Sequence, residues 1–251
     1  MIELKNLCAG YHGADVLRGV SMSFEPGRVT VLVGANGCGK STLLKAAIGM
    51  IKRSSGEVYI DSRPLDTLTK REVALRAAYM PQDRSVPSIS VRRLALHGRF
   101  PHLSYPRRYS KADYAAAEEA LRRADALDIA DRMLGELSGG QRQRAYLAMA
   151  LAQGTDSVLM DEPTTFLDIS HQLSFMQTAR SMAASGKAVV IVLHDLCMAL
   201  KWADTLAVMR SGEILCLGSP GEVFESGALS EAMDVDVRRV RTGEGWQYYY
   251  A

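Results

Sequence analysis

Four short stretches carry residues whose types and order could do chemistry on a phosphate. GANGCGKST, Gly34 to Thr42, fits G-x-x-x-x-G-K-[ST] at Gly34, Gly39, Lys40 and Ser41. Its glycines let backbone N–H groups converge on phosphate oxygens, Lys40 supplies a point charge, and Ser41 offers a hydroxyl to Mg²⁺. SVLMDEP ends an apolar run in Asp161 and Glu162. An acid at such a strand end can hold a hydrated magnesium ion, and the next carboxylate can orient or deprotonate an attacking water. In AVVIVLHD the apolar run ends at His194. By itself a histidine after a buried strand is more often structural, but at the carboxyl end of a core strand it becomes a candidate contact to a terminal phosphate. LSGGQRQRA, Leu137 to Ala145, is a second glycine turn feeding a helix, again an anion-binding design. Taken alone, its serine is equally an ordinary helix cap.

Two further residues are weaker when taken singly. Gln82 follows the run AAYM and Pro81, and its neutral amide could ligate a metal or a water. Tyr11, in CAGYHG, could stack on an adenine face.

The elements that must position these groups can be read from periodicity. The first thirty residues alternate in short apolar pieces between glycine and Pro-Gly turns, as antiparallel strands do. VTVLV (Val29 to Val33) is a buried strand directly before the first glycine loop, and a helix follows from about Lys40 to Met50. Further strands are expected at 57–60, 77–80, 157–160, 188–193 and 205–209, mostly alternating with helices, which implies an α/β core with a parallel sheet. Residues from about Asp83 to Gln153 are richer in Ala, Arg and Glu, with helices expected near Ser90 to His97, Lys111 to Ala126 and Gly140 to Gln153. They read as a helical subdomain, residues 83–153, inserted between residues 1–82 and 154–251 of one core.

Composition bounds the class. The chain has 251 residues, 47% hydrophobic and 23% charged, with a formal net charge of +2. That is ordinary for a globular protein and lacks the concentrated basic stripe of a nucleic-acid binder. The four cysteines (Cys8, Cys38, Cys197, Cys216) form no C-x-x-C pair, and MIELKNL is not an apolar signal, so a reducing cytoplasm is the expected home. The longest apolar run, Ala188 to Leu193, stops at His194, far short of the ~20 residues that a membrane helix needs.

In their order, Tyr11, GANGCGKST, Gln82, LSGGQ, LMDEP, TTFLD and His194 resemble the nucleotide-binding subunit of an ATP-binding cassette (ABC) transporter over essentially the whole chain. The resemblance implies a P-loop NTPase core, mainly a parallel sheet flanked by helices, with an N-terminal antiparallel β subdomain and an inserted α-helical subdomain. It implies ATP and Mg²⁺ as ligands and Glu162, His194, Lys40 and Gln82 as the catalytic set. Nucleotide contacts would come from Tyr11, from Gly34, Ala35, Asn36, Gly37, Cys38, Gly39, Lys40, Ser41 and Thr42 of the Walker A loop, from Ser138, Gly139, Gly140 and Gln141 of the signature, and from Asp168. Ser41, Gln82 and Asp161 would serve the metal. Two departures are small: Ala35 stands where proline is frequent, and Phe166 occupies a variable position.

HGRFPH (His97 to His102), Val158 to Gln172 and Val192 to Leu200 resemble more narrowly the ATPases of bacterial importers for ferric siderophores, heme or cobalamin. The implied partners are a second copy of the chain, two transmembrane permease subunits and, indirectly, an extracytoplasmic substrate-binding protein. The implied location is the cytoplasmic face of the bacterial inner membrane. Another cargo, such as an amino acid, metal ion or lipid, is the standing alternative. DNA-associated cassettes would place a long coiled coil between the loop and the signature, and none is present. The tail from about Arg238 carries no motif and is expected to be a packed terminal strand.

Overall fold

The computed structural model describes residues 1–82, 86–165, 167–243 and 245–251. Along the chain run β1 (Ile2–Tyr11), β2 (Ala14–Phe24), β3 (Val29–Gly34), α1 (Lys40–Ala47), β4 (Arg53–Ile60), β5 (Arg63–Pro64), α2 (Lys70–Ala74), β6 (Ala77–Met80) and α3 (Val91–His97). There follow α4 (Lys111–Arg123), α5 (Gly139–Gln153), β7 (Ser157–Met160), α6 (Ile169–Ala184), β8 (Ala188–Val192), α7 (Leu196–Trp202), β9 (Thr205–Arg210), β10 (Glu213–Gly218), α8 (Pro220–Glu225), α9 (Ala228–Met233), β11 (Val237–Thr242) and β12 (Gly245–Tyr250).

The central sheet runs β10-β9-β3-β8-β7-β6, parallel except for β10, which pairs antiparallel with β9. All of β3, β7 and β8 is buried, because helices and a second sheet cover both faces. Alternation sorts the side chains. Val31 and Val33 of β3 and Val189 and Ile191 of β8 face the cluster holding Met176 and Met182 of α6 and Leu196 and Leu200 of α7. Leu32, Val190 and Val192 face the opposite way, onto Leu43 and Leu44 of α1.

The second sheet is antiparallel, in the order β2-β1-β4-β5, and caps α1 from outside. The run at 57–60 therefore belongs here and not to the parallel core. Ile2, Leu4, Leu7 and Ala9 of β1 are all buried, although the spacing from Leu4 to Leu7 breaks a period of two. A bulge at Asn6, φ 48°, restores the phase. Gly56 faces it with a backbone so close that a Cβ would lie 2.3 Å from Asn6 O.

Helices α3, α4 and α5 pack on one another at the far edge of the central sheet, where α5 meets β6. The GRFPH stretch is an interhelix turn there. Arg99 donates to Ala152 O (2.9 Å) and pairs with Asp113 (3.1 Å), while His102 Nε2 lies 2.8 Å from Gln153 O, which clamps it onto the end of α5. Two helices end earlier than their apolar periodicity suggests. In α1, Gly49 (φ 70°) closes a Schellman motif through Met50 N–H to Lys45 O and Gly49 N–H to Ala46 O. In α4, Asp125 turns left-handed at φ 51°.

The tail differs from the single strand expected. It is a two-stranded antiparallel ribbon, β11 with β12, lying against α7 and α8. Among the described residues no helix is long and apolar enough to cross a membrane.

Candidate active site

The first glycine loop connects β3 to α1. Gly34 adopts φ 151°, and a Cβ on it would sit 2.3 Å from Met209 O, so the strand can leave the sheet here only as glycine. Gly39 (φ 110°) is the N-cap of α1 and brings no side chain to cap it, and the first turn holds no acid. The leading N–H groups and the positive end of the helix dipole are thus left for an anion. Lys40 is buried and folds back along the loop, donating from Nζ to Gly34 O (2.7 Å) and Ala35 O (3.0 Å).

Beyond the loop, β7 delivers two carboxylates. Asp161 accepts from Ser41 Oγ on Oδ1 (2.9 Å) and from Tyr79 OH on Oδ2 (3.1 Å). Burial pushes its carboxyl above the ordinary value, and these two hydrogen bonds oppose the shift. Glu162 follows in a left-handed conformation, φ 49°, which turns it away from Asp161 and costs on the order of 1 kcal/mol or more for a non-glycine residue. Its Oε1 lies 2.6 Å from His194 Nε2, and its Oε2 accepts from Gln82 Nε2 at 2.5 Å. Two candidates from separate strand ends, His194 and Gln82, thus converge on one carboxylate. Gln82 spends its amide nitrogen on Glu162, which leaves the carbonyl oxygen as the atom a cation would use.

These groups wall a cleft of about 360 Å³ lined by Val16, Asn36, Gly37, Gly39, Lys40, Ser41, Thr42, Gln82, Glu162 and His194. Cys38 is buried behind it, with its N–H on Ala35 O. The cleft is strongly polar and sits at the carboxyl ends of parallel strands, where α/β sheets bind ligands.

Tyr11, Ser138, Gly139, Gly140, Gln141 and Asp168 do not line the cleft. Tyr11 stands exposed at the hairpin end of β1. Ser138 and Gln141 form a capping box at the start of α5, Gln141 N–H on Ser138 Oγ and Ser138 N–H on Gln141 Oε1. Asp168 caps α6, and the N–H and ring of His171 hold its carboxyl down at about 2. Phe166 lies outside the described residues.

Two participants carry little or no signal in the sequence. Tyr79 of β6 holds Asp161 from the side away from Ser41. Its only mark is a lone phenol in an apolar strand, since a buried hydroxyl needs a partner. Val16 of β2 lines the cleft and packs against Gly39, with nothing in its local sequence to announce the role.

The fold and this site define an ATP-binding cassette, and similarity agrees. Residues 17–165, more than half of the chain, match the ABC transporter family. The chain belongs to that family. It is 43% identical over 219 residues to the hemin import ATP-binding protein HmuV of Rhodococcus jostii, covering 87% of this chain and 74% of that one. It is 37% identical over 221 residues to the ferric enterobactin transport ATP-binding protein FepC of Escherichia coli, covering 87% and 82%. The dimeric structure of a bacterial ABC transporter cassette superposes with a TM-score of 0.77 at 27% identity, covering 88% of this chain and 99% of that one.

Proposed function

We propose that this chain is the ATP-hydrolysing subunit of a bacterial importer for an iron chelate, a ferric siderophore or heme. The single observation that carries the hydrolytic reading is Glu162, held by His194 and Gln82 beside the loop that cradles phosphate. The iron-chelate cargo is supported by what the relatives transport, hemin and ferric enterobactin. The cassette does not meet cargo, so its own residues speak to cargo only through resemblance to such importers, in His97 to His102, Val158 to Gln172 and Val192 to Leu200.

In this reading the triphosphate lies along residues 34–42, its outer phosphates on Lys40 Nζ and the first N–H groups of α1, with Tyr11 against the adenine. Asp161 and Ser41 are hard oxygen donors 2.9 Å apart, and they suit a magnesium ion shared with substrate phosphates better than an all-protein cage. When bound, that ion supplies charge neutralisation on the β- and γ-phosphates. Glu162 orients a water and accepts its proton as the water oxygen bonds to phosphorus and the bond to the ADP oxygen breaks. Before that bond breaks, His194 Nε2 exchanges Glu162 for a γ-phosphate oxygen. Gln82 leads into residues 83–153, the helical unit, and couples the site to a permease. Ser138, Gly139, Gly140, Gln141 and Asp168 reach the nucleotide of a second copy, and the working pair docks on permease subunits at the cytoplasmic face of the membrane.

Phosphate release by the purified chain tests the assignment. Glu162→Gln should keep MgATP affinity and lose turnover by about a hundredfold or more, the size of a lost general base. Turnover within about twofold of the unaltered chain would reject Glu162 as the base.

A further inference from the structure

His194 is suspended between two anchors. On the strand side, Leu193 N–H donates to Leu32 O at 3.1 Å. On the helix side, Asp195 opens α7 by accepting Met198 N–H on Oδ1 at 3.0 Å. The imidazole is 43% exposed, so packing does little to hold it, and the path of the backbone on both sides decides where Nε2 meets Glu162.

The helix-side anchor is completed from elsewhere in the chain. The first N–H groups of a helix have no acceptor within it. Leu196 N–H finds one in the hydroxyl of Tyr250, at 2.8 Å, and the same hydroxyl donates to Asp195 Oδ1 at 3.3 Å. Tyr250 therefore grips both residues that follow His194. Donating requires the neutral phenol, and although Tyr250 is half exposed, partial desolvation pushes its pKa up to about 12. The ribbon holds Tyr250 in turn: β11 pairs with β12 through Val237 opposite Tyr250, Tyr248 packs on Phe224 with centroids 5.4 Å apart, and Arg239 is sandwiched between Phe224 (4.7 Å) and Trp246 (4.3 Å).

We propose that Tyr250 is a positioning residue for the hydrolytic step, fixing the turn at Asp195 and Leu196 so that His194 stays on Glu162 and, in turnover, on the terminal phosphate. The inference rests on the ATPase reading of the cleft and adds to it a residue that lies outside all of its motifs. The β11–β12 ribbon thereby gains a role, since it carries the hydroxyl that steadies the catalytic histidine.

The test is a double-mutant cycle on the purified chain, with hydrolysis followed as single turnovers over hours so that slow variants still yield a rate. Tyr250→Phe removes the hydroxyl and with it both hydrogen bonds, and should lower the rate about fivefold or more, the size of one to two lost positioning hydrogen bonds. The KM for ATP should stay within about twofold, because the loop and Tyr11 are untouched. Tyr249→Phe, its neighbour on the outer face of the ribbon, should leave the rate unchanged. In a His194→Ala background, Tyr250→Phe should have no further effect, since the group it positions is gone. An unaltered rate in Tyr250→Phe overturns the proposal, as does an equal loss with and without His194, or a fall in thermal midpoint with no fall in rate. An unaltered chain that releases no phosphate would instead defeat the ATPase reading itself.

Discussion

Asp161 is under opposed demands. In the proposed mechanism its oxygens must be open to a cation, yet in the free chain it is a buried carboxylate supported, among the described residues, by the hydroxyls of Ser41 and Tyr79. Burying a charge with neutral partners is unfavourable, which its raised pKa records. A carboxyl raised in the folded state withdraws stability as pH rises from its unfolded toward its folded pKa, so the ionised form of Asp161 is a liability to the fold. Asp161→Asn keeps the shape and removes the charge. It should abolish magnesium-dependent hydrolysis while raising the thermal midpoint of the nucleotide-free chain at pH 7. A lowered midpoint would mean that Ser41 and Tyr79 fully compensate the buried charge. At this scale the sequence is most informative where chemistry is local: the spacing of Gly34, Gly39, Lys40 and Ser41, and the adjacent Asp161 and Glu162, can be read directly. Tyr79 and Tyr250 cannot, because each meets its partner across 82 and 55 positions of chain and belongs to no local pattern.

Most of the helices among the described residues are started by capping side chains. Thr69 with Glu72, Ser110 with Asp113, Ser138 with Gln141 and Ser219 with Glu222 are capping boxes, and Asp168 and Asp195 cap α6 and α7. The four acidic groups at 72, 113, 168 and 222 are held below their ordinary values, first by these cap hydrogen bonds, with Glu72 and Asp168 at about 2. The folded chain keeps them ionised where the unfolded chain has taken up protons. Their contribution is therefore complete above about 4.5 and is lost as pH falls toward 2. Asp113 is buried beside Arg99, while solvent screens Glu72, Asp168 and Glu222, so the effect of those three is cumulative and modest. Glu72→Gln should flatten the fall of the thermal midpoint between pH 4.5 and 2, and an unchanged slope would refute the cap as its source. Cap signatures and buried strands are legible from residue type and period. The bulge at Asn6 and the sheet to which residues 57–60 belong are not, because both depend on which strand lies alongside.

At the scale of the whole molecule, the two glycine turns are alike in sequence and built differently. The first opens α1 with no side-chain cap, and its N–H groups face the cleft. The second opens α5 with a capping box and lies off the cleft wall of its own chain. Ser138 already serves α5, so Ser138→Ala should cost about 1 kcal/mol of stability in the isolated chain, measured by denaturant midpoint, in addition to any effect on turnover. A midpoint equal to that of the unaltered chain would show that the cap is idle. The proposed mechanism turns on one feature above the others, completion of the cleft by the signature of another copy. Disulfide trapping with MgATP addresses it without an intermediate step, in chains lacking Cys8, Cys38, Cys197 and Cys216. One population carries Asn36→Cys alone and the other Ser138→Cys alone. A nucleotide-dependent crosslink joining one chain of each kind should form, at twice the mass of a single chain. Failure of that crosslink with ATP bound, while a chain carrying both cysteines closes on itself, would show that the second glycine turn does not serve another copy.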